Sequence, residues 1–152
     1  MEATAEEVGE SRRWDPTWVL SMVLALLGLV DSIYLSWIKL ANQVASCGPV
    51  GDCETVNNSR YAVVGGVPIA VIGAAGYLLI MALLLLDRRG GSEKEAVRFA
   101  LFGVTLAGTV YSAYLTYLEL YVLRAICPYC VVSALVMAGL FVLSLIRLRL
   151  WA

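Results

Sequence analysis

Four apolar stretches, each about 20 residues or longer, restrict the folds open to this chain more than any other feature. Trp18–Leu40 is interrupted only by Asp31 and Lys39, and Val63–Leu86 carries no charge. Phe99–Leu118 is uncharged and continues past Glu119 to Leu123; Ala125–Ile146 is again uncharged. Each is long enough to cross the hydrocarbon core of a bilayer as a helix. A water-soluble core of four such helices would need polar sequence to cover it. Only 15% of the 152 residues are charged, against roughly 25% in soluble domains. The expected fold is an all-α integral membrane protein, a bundle of four transmembrane helices forming one domain over 1–152. Helices are predicted at about 18–40, 66–86, 97–123 and 127–147, with a tail at 1–15 and an outer loop at 41–65.

Basic residues orient the bundle. With the N-terminus inside, Arg12, Arg13, Arg88, Arg89, Lys94, Arg98, Arg147 and Arg149 lie on the inner side. Only Lys39, Arg60 and Arg124 lie outside, a clear bias under the positive-inside rule. Both termini are therefore expected on the inner, cytoplasmic side of the membrane. A net charge of −1 offers nothing to nucleic acid.

Chemistry is concentrated in four cysteines, in a chain without histidine. Cys127-Pro128-Tyr129-Cys130 stands at the mouth of the last apolar stretch, and Cys47 and Cys53 lie in the long outer loop. The orientation puts both pairs on the outer side, where disulfides persist. Gly48, Pro49 and Gly51 can turn the loop enough to bring Cys47 and Cys53 together. Asp52 is placed to cap a short surface helix that begins with Cys53 and Glu54. Pro128 suits the first helical position, making Cys127 the N-cap and setting Cys130 one turn in. A thiolate at a helix N-terminus is stabilised by the dipole and by free N–H donors. Cys127 is then expected to be the outer sulfur that exchanges with a protein thiol, and Cys130 the one that faces into the bundle. The pattern predicts a relay from a partner dithiol through Cys47/Cys53 and Cys127/Cys130 to a two-electron acceptor in the bilayer, a quinone.

Other readings compete for the same residues. The pairs could be static staples, or soft ligands of a small non-enzymatic transporter or metal-handling protein. A four-cysteine zinc site does not match the spacing, and no metal is expected. Haem attachment fails because Val131 follows Cys130. Val44-Ala45-Ser46-Cys47 imitates a lipoprotein cleavage box, but the apolar stretch before it is too long and is cut off by Lys39.

The ordered combination resembles the vitamin K epoxide reductase family, in particular its bacterial members. It consists of Cys47 and Cys53, Ser59 six residues on, Gly66-Val67-Pro68 with Gly73 and Tyr77, and Cys127-Pro128-Tyr129-Cys130. The resemblance implies a four-helix bundle around a quinone of ubiquinone or menaquinone type, capped by the loop and its short helix. It implies that Cys130 acts on the quinone, that Cys127 exchanges with Cys53, that Cys47 pairs with Cys53, and that Ser59 supports the site. The animal enzymes carry Thr-Tyr-Ala after the second helix cysteine, where this chain has Val131-Val132-Ser133-Ala134-Leu135. That departure favours a bacterial disulfide-forming role over epoxide reduction. Many bacterial members carry a fused thioredoxin-like domain; with the chain ending at Ala152, the expected partner is a separate thioredoxin-like protein, similar to disulfide bond formation protein A. Disulfide bond formation protein B, also a four-helix quinone protein, has its two kinds of cysteine pair in the reverse order.

Further polar residues lie within the spans. Asp31 costs about 2.5–3.5 kcal/mol on insertion scales, so it is expected to face inward, bonded to a hydroxyl such as Tyr111 or Tyr114. Tyr111, Tyr114, Tyr117 and Tyr121 form a helical stripe; Tyr114 and Tyr117, with Tyr77, are candidates to hydrogen-bond a quinone carbonyl. Glu119 is expected to be solvated and paired with Arg124.

Overall fold

The computed structural model describes residues 15–43 and 51–151. Helix α1 spans Pro16–Leu40, with Asp15 at its N-cap and proline in the first turn; the Asp15 side chain makes no capping bond. Helix α2 is the short Cys53–Asn58, followed by a 3-10 turn at Arg60–Ala62. Strands β1 (Val63–Val64) and β2 (Val67–Pro68) pair as a small antiparallel hairpin. Helices α3 (Ile69–Arg89) and α4 (Lys94–Tyr117) follow. A π-helical segment, Leu118–Leu123, continues α4, and α5 runs from Pro128 to Trp151.

Helices α1, α3, α4 and α5 form a ring in which α1 packs on α3 and α5, and α4 packs on the same two. All four are long and apolar enough to cross a membrane. Their common core gathers Ala25, Leu29, Tyr77, Ile80, Leu84, Leu101 and Leu140. The outward faces carry large apolar side chains such as Val30, Trp37, Leu78, Val110 and Leu135, each about half exposed or more. A continuous apolar exterior of this kind is untenable in water and matches lipid tails. The protein is a four-helix membrane bundle.

The hairpin corrects the expected start of the second span. Gly65 and Gly66 both adopt positive φ, 59° and 84°, and so reverse the chain in two residues. Helix α3 therefore begins at Ile69 rather than 66, and it continues to Arg89. At the basic end of the bundle, Asp87 is buried between Arg98, at 2.9 Å, and Arg147. This ion triad joins α3, α4 and α5; breaking such a buried pair leaves a charge uncompensated.

One close approach in the core is decided by a missing side chain. A Cβ on Gly28 would lie 2.3 Å from the Tyr77 ring, so glycine alone lets α3 settle on α1 here. The Gly28→Ala variant is expected to lose about 1–3 kcal/mol, read as a lower thermal midpoint in detergent. An unchanged midpoint would show that the ring has room to move.

Candidate functional site

The site is assembled at the end of the bundle opposite the ion triad. Asp52 accepts the Thr55 N–H at 3.1 Å and the Thr55 hydroxyl at 2.7 Å, which fixes the first turn of α2. These hydrogen bonds, the side-chain one foremost, hold the Asp52 carboxyl below its ordinary range. The Asp52 N–H also donates to the Ile126 carbonyl at 2.9 Å, tying the start of α2 to the residue before Cys127. The far end of α2 is tied to α1: Lys39 Nζ donates to the Asn57 carbonyl at 2.7 Å and to Asn58 Oδ1 at 3.3 Å. A cation at a helix C-terminus is a favourable placement. Two anchors thus lay α2 over the mouth of α5.

Cys53, first residue of α2, is buried against Ile38 and Cys127, with Val56, Tyr129 and Cys130 packed around them. The Cys127 thiol donates to Cys53 Sγ across 3.3 Å. Cys53 is disulfide-bonded, whereas Cys127 and Cys130 are free thiols. The expected partner Cys47 lies outside the described residues. A hydrogen bond from the Cys130 side chain pulls the Cys127 thiol below its ordinary range. Backbone N–H groups of Cys130 and Tyr129 act the same way, while burial and the Glu119 carboxyl oppose them. A free thiol thus touches a disulfide sulfur, the arrangement that thiol–disulfide exchange requires. Cys127 is not the exposed sulfur that its N-cap position suggested: it is 1% exposed, because α2 covers it.

Beneath Cys127 the bundle encloses a cavity of about 380 Å³. Cys130, Ser59, Tyr77, Asp31, Tyr111 and Glu119 are on its wall, among mainly apolar side chains. Volumes of roughly 300–1,000 Å³ with few polar groups are usual for small-molecule sites. One Asp31 carboxylate oxygen is buried without a hydrogen-bond partner, so the expected bond to Tyr111 or Tyr114 is not what satisfies it. Ser59 Oγ donates to the Val56 carbonyl at 2.8 Å, closing the end of α2 over the cavity. The Tyr77 hydroxyl is engaged by Ser133, 3.0 Å from its carbonyl and 2.8 Å from its Oγ. Tyr114 and Tyr117 stand off the cavity at 50% and 55% exposure, facing outward. With Tyr121 they form an exterior belt, whereas Tyr111 of the same stripe borders the cavity. Among the described residues no group of three or more potential ligands is arranged to hold a metal ion.

Glu119 was misjudged from the sequence. Its side chain is 4% exposed, and it accepts the Cys127 N–H at 3.3 Å instead of pairing with Arg124. One signal was available: it is the only acidic residue after Glu95, eight positions before Cys127 in an otherwise apolar run.

The family model described as the vitamin K epoxide reductase family matches residues 19–145, nearly all of the bundle and both cysteine pairs. This chain belongs to that family. It is 40% identical over 129 residues, 80% of its own length, to a protein of Arabidopsis thaliana named thiol-disulfide oxidoreductase LTO1. It spans 34% of that relative's length, about a third.

The cap on α2 yields a direct test. In an Asp52→Ala variant α2 should fray and Cys127 should react several-fold faster with a maleimide. The wild-type cover should loosen in the same way as pH falls through the lowered Asp52 value, since a depressed carboxyl stabilises the fold only while ionised. Equal labelling rates would mean that the anchors at Ile126 and Lys39 suffice.

Proposed function

We propose that this protein is a membrane thiol:quinone oxidoreductase. It takes electrons from a thioredoxin-like dithiol through Cys47/Cys53 and Cys127/Cys130 to a quinone, and so supports disulfide formation outside the cytoplasm. The observation that carries this reading is the 3.3 Å contact between Cys53 and Cys127, with Cys130 on the cavity wall behind it. A partner thiolate attacks Cys47 of the loop disulfide and frees Cys53; the partner's second thiol then closes the partner's own disulfide and releases Cys47 as a thiolate. The Cys53 thiolate attacks Cys127 of the oxidised helix pair; a Cys53–Cys127 bond forms, the Cys127–Cys130 bond breaks, and Cys130 leaves as a thiolate. Attack of Cys47 on Cys53 then restores the loop disulfide and releases Cys127. An oxidised loop sulfur beside two helix thiols is the arrangement that these steps leave behind.

The cavity suits a quinone ring of ubiquinone or menaquinone type: its walls are mainly apolar, with a few polar side chains such as Ser59 and Asp31 among them. Such a quinone, when bound, supplies a two-electron, two-proton acceptor. Cys130 and Ser59 would border it directly, and Tyr77, held by Ser133, would shape the wall. The soft-ligand alternative predicts instead a thiol-bound metal in the purified protein.

In the membrane the cysteines face the outer side of a bacterial inner membrane and both termini face the cytoplasm. The basic residues Arg88, Arg89, Lys94, Arg98 and Arg147, gathered at the opposite end from the cysteines, support this orientation. A reporter fused at Gly91 should read as cytoplasmic; an outside signal would overturn the topology and the redox compartment together.

Variants separate the two pairs. Cys127→Ser and Cys130→Ser should abolish quinone reduction with any donor, while Cys47→Ser and Cys53→Ser should spare reduction driven by a small dithiol. In Cys47→Ser, Cys53 has lost its resolving thiol and should remain joined to Cys127, seen by non-reducing peptide mapping. A Cys53–Cys130 peptide would reverse the roles of the two helix sulfurs. A free Cys53 would mean that the loop does not feed the helix pair.

A further inference from the structure

The dithiol pair must release two protons each time it closes to a disulfide, and the chain has no histidine to take them. Among the described residues Glu119 is the carboxyl group in hydrogen-bond contact with the helix pair. Its position is set by unusual backbone geometry. At Leu118–Leu123 the helix widens to a π-helix and stops at Arg124, whose φ is +49°. The Glu119 carbonyl accepts both the Arg124 N–H and, at 3.1 Å, the Ala125 N–H. Its carboxyl accepts the Cys127 N–H at 3.3 Å, and the Cys130 side chain lies against the same carboxyl. Backbone and side chain of one residue thereby fix the approach to α5. Wide turns of this kind recur at functional sites.

Burial sharpens the point. Glu119 is 4% exposed, and among the described residues it forms no ion pair, so no fixed cation holds it in one protonation state. Among the described residues, the titratable groups that face the pair from other elements include Asp31 on α1, also on the cavity wall, and Cys53 on α2, which is oxidised. Asp31 interacts with Cys130 through its charge alone, whereas Glu119 touches the pair. Glu119 also lines the cavity beside Cys130, and so borders both the thiol that loses a proton and the space where one is consumed.

We infer that Glu119 is the proton acceptor and donor of the Cys127/Cys130 pair. Its carboxylate takes the proton of the Cys130 thiol as the pair closes, while the Cys127 proton and the two electrons pass to the acceptor; the products are a carboxylic acid, the Cys127–Cys130 disulfide and the reduced acceptor. The acid returns that proton to the Cys130 thiolate when Cys53 opens the pair. No electrons pass through it. The inference rests on the proposed dithiol function of the helix pair and assigns it a proton route.

The test uses the full-length protein, fully reduced and stripped of quinone in detergent. The rate at which the helix pair closes with a small aromatic disulfide is followed from pH 5.5 to 9 in wild type, Glu119→Gln and Glu119→Asp. Glutamine keeps the acceptor for the Cys127 N–H but cannot take up a proton. At neutral pH the Gln variant should close about 100-fold more slowly, with a rate that rises in proportion to hydroxide where wild type levels off. Asp should retain the wild-type profile at a reduced rate. A Gln variant with wild-type rates, or one slowed equally at every pH, would overturn the inference, the latter marking a purely positional role. If the Gln variant does not fold, loss of the levelling in the Asp variant overturns it instead. Quinone reduction is measured in parallel: normal closure in wild type without electron delivery to a quinone would sink the proposed acceptor and leave the role of Glu119 standing.

Discussion

The seating of a six-residue helix on the end of α5 is the interaction on which the rest of the site depends. Helix α2 is too short to be stable alone. Its existence rests on the Asp52 cap, on the Asp52–Ile126 backbone bond and on the Lys39 contacts to Asn57 and Asn58. Those anchors are polar and lie at the membrane surface, where water competes for each of them. The result is a cover held firmly enough to bury Cys53 and Cys127 yet attached by bonds that can be exchanged. A lid made of apolar spans would bury the sulfurs as well, but no outside thiol could reach them.

The bilayer explains why the remaining structure is so regular. Without water, each backbone N–H and C=O inside the hydrocarbon must be paired within the chain, which leaves helices as the economical solution. Gly90 and Gly91 turn the chain at the far end; among the described residues the other irregular backbone gathers at the cysteine end, in the Gly65-Gly66 hairpin, the π-helical segment and the left-handed Arg124. Each aims something at the site. The hairpin returns the chain beside Ser59, and the π-helical segment carries Glu119 to Cys127. At the other end, the charges of Asp87, Arg98 and Arg147 neutralise one another and knit three helices together.

Much of this was legible in the sequence because the signals are local. Capping by Asp52, proline at the start of α5 and the one-turn offset of Cys127 and Cys130 each involve residues a few positions apart. The tyrosines on α4 show the opposite case. Their spacing identified a shared face, but a helical stripe does not reveal whether that face meets the cavity or lipid; Tyr111 borders the cavity, whereas Tyr114 and Tyr117 do not. Gly28 likewise carried no signal, since its role is defined by Tyr77 on another helix.

By itself the sequence determined the class of fold, the number of spans and which sulfurs could react. Apolar length and cysteine spacing are properties of the chain, and they hold whatever the packing. Only the tertiary structure decided that Cys127 is covered rather than exposed, with Cys53 on α2 lying over it, and that Glu119 is buried against the helix pair. These outcomes depend on contacts between residues up to 74 positions apart. They are fixed by how four helices close into a ring and by a π-helical turn whose extra width no local pattern announced.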